Sequence, residues 1–293
     1  MNKVEVNGLV KYYGDFCAVN DVNFSFSSGK LTAICGRNGS GKTTSIRCLL
    51  GLLKEDKGEF LVNGLKQKLD FKKIGYLPEE RGLFVKERID FQLELLARLK
   101  GMNKKDARES IDNWMNKFDI AQYKTKKLEN LSKGNQQKVQ MIAALVHNPD
   151  IIILDEPFSG LDPINMQFFI DLIKKLKKNG KCILVSSHQL ALIEGICEDI
   201  CIINKGKCVY SGSIIDLQNK YSSDYLYFST KSDLKGLDVQ EYGPLSYRIK
   251  LNSPDEFKKK LNEIMNSSIE VETIGRKKLN LQEIFVELVG DKN

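Results

Sequence analysis

The chain has 293 residues, 42% of them hydrophobic, and carries 45 lysines and arginines against 38 aspartates and glutamates, a net charge of +7. That length and apolar content suit one large or two ordinary domains with a real core, and exclude a disordered or low-complexity chain. No apolar run approaches the roughly 18 to 20 residues of a membrane helix, so the chain is not expected to cross a bilayer by itself, and its start MNKVEVNGLV has neither a long apolar segment nor a small-residue cleavage site, so export is not expected.

The basic excess sits in short lysine runs, KKLKK at 174 to 178 and KKK at 258 to 260, inside helical patterns where they would line the solvent face. No arginine and aromatic interleaving suggests an RNA platform, and no nucleic-acid partner is expected. The seven cysteines (17, 35, 48, 182, 197, 201 and 208) are odd in number, and several fall within apolar runs. They read as small buried hydrophobes in a reducing compartment. Cys197, Cys201 and Cys208 cluster but match no zinc spacing, and no histidine lies near them.

Residues 3 to 35 read as strands: VEVNGLVKYYG, then DVNFSF with period-two alternation, then LTAIC after the SSGK turn. LTAIC runs into GRNGSGKTT, Gly36 to Thr44, and SIRCLLGLL follows with apolar residues at helical spacing. The glycines therefore stand where a strand turns into a helix. Such a turn lets backbone N–H groups close around a phosphate chain while the helix presents its positive dipole end. Gly36, Gly41, Lys42 and Thr43 fit G-x-x-x-x-G-K-[ST] in full; Lys42 would reach the β- and γ-phosphates, and Thr43 would offer its hydroxyl to Mg²⁺. Asn38, Gly39, Ser40 and Thr44 complete the expected nucleotide contacts.

The helix after this loop is expected to end near Gly51, with FLVNG and KKIGYL as further strands. From about 84 to 147 the pattern turns helical, clearest in IDFQLELLARLKG, DARESIDNWMNKF and KVQMIAALV, a helical insertion between strands. His147, in VHNPD, reads as a histidine at a helix C-terminus. Strand IIILD follows, then a helix opened by Asp162 and Pro163 and closed at Asn179 and Gly180. CILVS is another buried strand, and ICEDICIINKGKCVYSG reads as two strands joined by a turn at Gly206. This alternation predicts an α/β fold with an open, largely parallel sheet. Past about 220 the texture changes to a small α+β domain, with YLYFST and SYRIKL as half-exposed strands and capping boxes at Ser253 with Glu256 and at Asn280 with Glu283.

A nucleotide site also needs a magnesium carboxylate and a group to activate water. IIILDEP supplies both: Asp155 emerges at the end of four consecutive aliphatics, and Glu156 follows it directly. Two adjacent acids at the mouth of a buried strand need compensation for desolvation, which makes a purely structural role rare. CILVSSH ends in His188, on what should be the next parallel strand, within reach of the same γ-phosphate and water.

LSKGNQQ at 131 to 137, just before a helix and upstream of LDEP, resembles the signature motif of the ATP-binding-cassette (ABC) ATPases, usually LSGGQ. SGLD at 159 to 162 resembles their D-loop, His188 holds their switch position, and Tyr13 in KYYG resembles the aromatic that stacks on adenine. The resemblance implies a P-loop fold with an antiparallel β subdomain and a helical subdomain over residues 1–220, followed by a C-terminal accessory or regulatory α+β domain over 221–293. It implies a dimer around two ATP, each held by one copy's phosphate loop and by Ser132 and Gly134 of the other. It further implies Mg²⁺ on Thr43 and Asp155, Glu156 as general base, His188 on the γ-phosphate, and a separate membrane permease as partner, with the chain peripheral on the cytoplasmic face. The ending YLYFST to LQEIFVELVG resembles that of the bacterial sodium-extrusion and drug-resistance exporters.

Two positions depart from the pattern. IGYLPEERG places Glu79 where most members carry a glutamine that senses Mg²⁺, and Lys133 and Asn135 replace glycine and glutamine of the signature. A carboxylate ligates magnesium but donates no hydrogen bond and adds charge near a triphosphate. The segment after Glu79, RGLFVKERIDFQLELLARL, would form part of the permease surface, with Leu83 and Phe84 fitting either a docking groove or a buried helix start. The alternative function is a soluble ABC ATPase acting on ribosomes or nucleic acid; a single nucleotide-binding core, and only 90 residues between Lys42 and Ser132 (132 − 42), count against it.

Overall fold

Strand periodicity and helix caps divide the chain as the alternation suggests. The structure, a computed structural model, describes residues 2–80, 82–222, 225–232, 234, 239–251, 253, 255–267, 269–276 and 279–290. The chain falls into two compact units, 1–212 and 213–293, and the helix over 214–222 counts with the second unit.

In the first unit, β1 (Lys3–Tyr13), β2 (Phe16–Ser27) and β3 (Leu31–Cys35) lead into α1 (Lys42–Leu49), followed by β4 (Lys57–Val62), β5 (Leu65–Lys66) and β6 (Ile74–Leu77). Helices α2 (Ile89–Leu99), α3 (Lys104–Lys117) and α4 (Lys133–Leu145) come next, then β7 (Ile151–Asp155), α5 (Pro163–Lys178), β8 (Cys182–Ser187), α6 (Leu190–Ile196), β9 (Asp199–Asn204) and β10 (Lys207–Ser213). One sheet, ordered β2-β1-β4-β5, is antiparallel; the other, six-stranded, runs β10-β9-β3-β8-β7-β6 with β9, β3, β8, β7 and β6 parallel. This is the expected α/β fold, a largely parallel sheet with an antiparallel β subdomain and helical elements beside it.

Period two in β1 and β2 turns Val4, Val6, Phe24 and Phe26 inward, and these meet Ile34, Ile153 and Leu184 of the parallel sheet in one core that also takes Ile46 and Leu49 of α1. β3, β7 and β8 are buried along their whole length, which is why they read as unbroken apolar runs. Gly75 shows how closely α4 lies on β6: a Cβ there would stand 2.2 Å from the Ala144 carbonyl oxygen. On the helical side Phe118, the C-cap of α3, packs edge-on against Phe168 of α5, ring centroids 4.9 Å apart.

α5 starts at Pro163 under an Asp162 cap whose side chain accepts from the Asn165 N–H, as expected. α4 begins five residues before KVQMIAALV, because Ser132 caps it by accepting from the Asn135 N–H. The turn between β9 and β10 holds Lys205 and Gly206 both at positive φ, 48° and 78°, the geometry of a two-residue hairpin.

The second unit contains α7 (Ile214–Ser222), β11 (Tyr225–Thr230), β12 (Gln240–Gly243), β13 (Ser246–Lys250), α8 (Glu256–Met265), β14 (Val271–Gly275) and α9 (Leu281–Val289). Its antiparallel sheet runs β12-β13-β11-β14 over a core of Leu226, Phe228, Ile249, Leu251 and Ile264. The Asn280 and Glu283 capping box is present in both directions. The box expected at Ser253 is not the one that caps the helix: α8 starts at Glu256 with Asp255 in the cap position and no side-chain cap bond, and the Ser253 carbonyl accepts from the Glu256 N–H.

His147 does not complement the end of α4. Its Nε2 donates to the Ile74 carbonyl of β6 at 2.9 Å, while Nδ1 is buried without a partner. Burial, with Lys100 and Lys181 nearby and against the Ile74 bond, takes the ring from its ordinary 6.5 down to about 4. A histidine lowered in the folded state contributes fully above the unfolded value and loses that contribution as pH falls toward the folded one. With the ring only part-buried, the contribution is on the order of 1–2 kcal/mol after screening. Thermal unfolding followed from pH 7 to 4 should therefore fall less steeply for His147→Gln than for the natural chain; parallel curves would refute the assignment.

Candidate nucleotide site

The loop between β3 and α1 is shaped by backbone crowding. Gly41, the N-cap of α1, has φ 108°, and a Cβ on it would come 2.7 Å from the Ala18 carbonyl oxygen. At Gly36 a Cβ would meet the Ile203 carbonyl at 2.3 Å. Neither position accepts a side chain, which is the physical content of the two fixed glycines in the motif. The β9–β10 turn holds the loop from outside: the Gly206 N–H donates to the Ser40 carbonyl at 3.0 Å, and the Asn20 N–H donates to the Gly206 carbonyl at 2.7 Å.

The loop curls over its own lysine. Lys42 Nζ donates to the Gly36 and Arg37 carbonyls at 2.9 and 3.4 Å and lies 3.8 Å from Glu156 Oε1, with both side chains buried. Asn38, Gly39, Ser40, Gly41, Lys42, Thr43 and Thr44 line one cleft of about 440 Å³. Tyr13, Phe16, Glu79 and Glu156 line it as well. Tyr13 and Phe16 are 49% and 66% exposed, a flat aromatic pair at the mouth suited to stacking.

The parallel register delivers the acids. Asp155 at the end of β7 pairs with Ser186 of β8, and Cys35 at the end of β3 pairs with Ser187. Ser186 Oγ donates to Asp155 Oδ1 and accepts from the Glu156 N–H at 2.9 Å, so one hydroxyl fixes both acidic residues. Glu156 sits in the left-handed region at φ 49°, which re-aims its carboxylate away from the strand. That carboxylate takes His188 Nδ1 on Oε2 at 2.9 Å; since an ionised carboxylate only accepts, Nδ1 carries the proton. Burial pushes the Asp155 carboxyl up, against the Ser186 and Thr43 hydroxyls, and the charges of Glu79 and Glu156 push the same way.

Asp155 Oδ2 is buried with no hydrogen-bond partner, and Thr43 Oγ1 lies 3.5 Å from Glu79 Oε2. Hard oxygens on Thr43, Asp155 and Glu79 at a site with an orphaned carboxylate oxygen fit a divalent cation such as Mg²⁺.

Ser132 and Gly134 do not line this cleft. They stand at the exposed start of α4, with a Cβ on Gly134 3.3 Å from Asn165 Nδ2 at the start of α5. Leu83 and Phe84 do not line the groove on the helical side either. That groove, about 750 Å³, takes Phe91 and Leu95 from α2, rimmed by Arg88, Asp90, Arg98 and Arg108. Phe84 is 70% exposed, and its backbone is pinned by the buried Gln92, which accepts from the Phe84 N–H at 3.1 Å. Ser186 and Phe16 are site residues that sequence reasoning did not single out. The hydroxyl at the end of a buried strand, two residues before His188, was the available signal for Ser186.

The family model described as ABC transporter matches residues 19–159. An uncharacterized ABC transporter ATP-binding protein of Methanocaldococcus jannaschii is 46% identical over 74% of this chain and 80% of its own length. The Bacillus subtilis protein YhaQ, with the same description, is 37% identical over 97% of this chain and 98% of its own. The B. subtilis ABC transporter ATP-binding protein NatA is 33% identical over 75% and 92%. Among solved structures, an ATP-binding subunit of an ABC transporter superposes with TM-score 0.68 at 27% identity, covering 74% of this chain and 92% of that one. A dimeric ATP-binding cassette in a post-hydrolysis state, bound to ADP and Pi, superposes with TM-score 0.65 at 26% identity over 72% and 98%. Relatives matched over most of their length, on a cleft built from this loop and these carboxylates, establish that the chain belongs to the ABC transporter ATP-binding proteins and is an ATPase of that family.

Proposed function

We propose that this ATP-binding subunit drives an exporter, pairing with a second copy around two ATP and with a separate membrane permease, and working on the cytoplasmic face of the cell membrane. The observation that carries the reading is the cluster of Lys42, Asp155, Glu156 and His188 at the C-terminal ends of adjoining parallel strands, where α/β sheets bind their ligands. Lys42 and the loop N–H groups hold the β- and γ-phosphates, Tyr13 stacks on the adenine, and Thr43 and Asp155, with Glu79, hold Mg²⁺. The cation, when bound, neutralises charge on the phosphates. Glu156 takes the proton of the attacking water as general base, and His188, hydrogen-bonded to it, steadies that carboxylate and the γ-phosphate.

The exposed signature at the start of α4 supports a paired assembly: Ser132 and Gly134 sit outside their own cleft, where they would face a second copy and cap its γ-phosphate with a hydroxyl and N–H groups. No described helix is long and apolar enough to cross a membrane, which a separate permease would supply. The groove with Phe91 and Leu95 exposed at its floor supports a permease contact on the helical subdomain. The outward direction, and membership of the sodium-extrusion and drug-resistance subgroup, rest on the resemblance of residues 225 to 290. Residues 221–293 are read as the regulatory or docking domain, and no nucleic-acid partner is assigned.

Glu156→Gln should bind ATP as the natural chain does and lose hydrolysis by on the order of 100-fold or more. Used as bait on mildly solubilised native membranes, it should retain one polytopic membrane protein in an ATP-dependent way; recovery of ribosomes or nucleic acid with no membrane partner would overturn the reading. Glu79→Gln should keep ATP binding while altering permease-coupled turnover, and identical coupled turnover in the two proteins would remove Glu79 from the coupling path.

A further inference from the structure

Glu79 and Lys133, separate departures from the sequence pattern, share a cavity. It measures about 150 Å³ and lies between the loop after β6, the first turns of α4 and the turn after β7, lined by Glu79, Lys133, Gln136, Gln137, Gln140, Ser159 and Gly160. Glu79 also lines the nucleotide cleft, with Oε2 3.5 Å from Thr43 Oγ1, so its carboxylate stands in the wall between two spaces. Gln136 is 7% exposed; its Nε2 donates to the Leu128 and Leu131 carbonyls at 3.1 and 3.0 Å, which commits the amide orientation, and its Oε1 has no partner. A buried acceptor left unpaired calls for a donor. Lys133, one helical turn earlier and exposed at the cavity rim, is a donor-only side chain on a flexible stem.

Charge points the same way. The cleft and its wall hold the carboxylates of Glu79, Asp155 and Glu156 against the single ammonium of Lys42 among the described lining residues, and a triphosphate adds more negative charge. A second cation beside Glu79, outside the cleft, offsets its charge without occupying phosphate space.

We propose that Lys133 is the positioning residue of Glu79: its ammonium turns into this cavity, pairs with the Glu79 carboxylate, and takes Gln136 Oε1 as its second acceptor. The pair ties the start of α4 to the loop after β6 and screens Glu79 from the phosphates. This rests on the reading of the cleft as the ATP site.

The test is a double-mutant cycle in the full chain, comparing Lys133→Ala, Glu79→Gln and the double variant with the natural protein. ATP affinity is titrated calorimetrically in EDTA, so that no cation masks the charge of Glu79. Lys133→Ala should weaken ATP by about 3- to 10-fold when Glu79 is present and should cost little when it is made in the Glu79→Gln background. An equal loss from Lys133→Ala in both backgrounds means that Lys133 meets the nucleotide itself, and overturns the proposal. The same four proteins without nucleotide should show a non-additive shift of about 1–3 °C in unfolding midpoint at low salt that disappears at high salt. Additive midpoints refute the pair even if the natural chain fails to bind ATP, an outcome that would separately overturn the reading of the cleft.

Discussion

The parallel register of β3, β7 and β8 is the constraint from which the site follows. Cys35, Asp155 and Ser186 with Ser187 end at one edge because the three strands pair residue by residue, so everything that leaves the sheet there leaves it together. The phosphate loop departs after Cys35, the acidic pair after Leu154 and the histidine after Ser187. A shift of one residue in β7 would turn Asp155 to the other face and separate it from the Ser186 hydroxyl. Burial of all three strands on both faces makes such a shift costly, since it would also exchange two fully buried sets of aliphatic side chains.

That rigidity lets the edge hold groups that would be unstable elsewhere. Carboxylates so deeply buried cost several kcal/mol unless compensated, and here compensation is local and specific: a serine hydroxyl for Asp155, an ammonium and an imidazole for Glu156. Glu156 is also held in the left-handed region, at a cost of about 1–3 kcal/mol for a residue with a side chain. The Ser186 bond to its N–H contributes to holding it there. Lys42 is ordered by the carbonyls of the loop that precedes it. Charge in this cleft is therefore positioned by the protein's own hydrogen bonds and ion pairs, the kind of fixed arrangement that limits reorganisation in a reaction.

Much of this was legible in the residues, for reasons that can be named. Fully buried parallel strands appear as unbroken aliphatic runs, IIILD and CILVSS, and half-buried ones as alternation, DVNFSF. Asp162 before Pro163 and Asn280 three residues before Glu283 announce helix starts through bonds made within one turn. The failures share a different feature. Ser253 carries the spacing of a capping box, but the helix there starts at Glu256, so a pattern of residue types did not ensure its geometry. His147 stands at the end of α4, yet its partner is a carbonyl of β6, 73 residues away in sequence. Leu83 and Phe84 were apolar enough for a groove, but the groove on the helical side takes Phe91 and Leu95 of α2, and Gln92 of the same helix holds the Phe84 backbone beside it.

By itself the sequence marked the glycine-rich loop and the acid pair, because each is local: it needs only its own few residues and the buried strand it follows. It also determined the alternation of strands and helices, since burial on one face or two leaves a period in the chain. Only the tertiary structure decided which of these pieces stand together. The register that sets Ser186 beneath both acids, the turn at Gly206 that braces the phosphate loop, the placement of Ser132 outside its own cleft and the shared wall at Glu79 all join residues far apart in the chain. Hydrogen bonds and packing between distant segments leave no period in a single sequence, and so they become visible only when the sheet has closed and the helices lie on it.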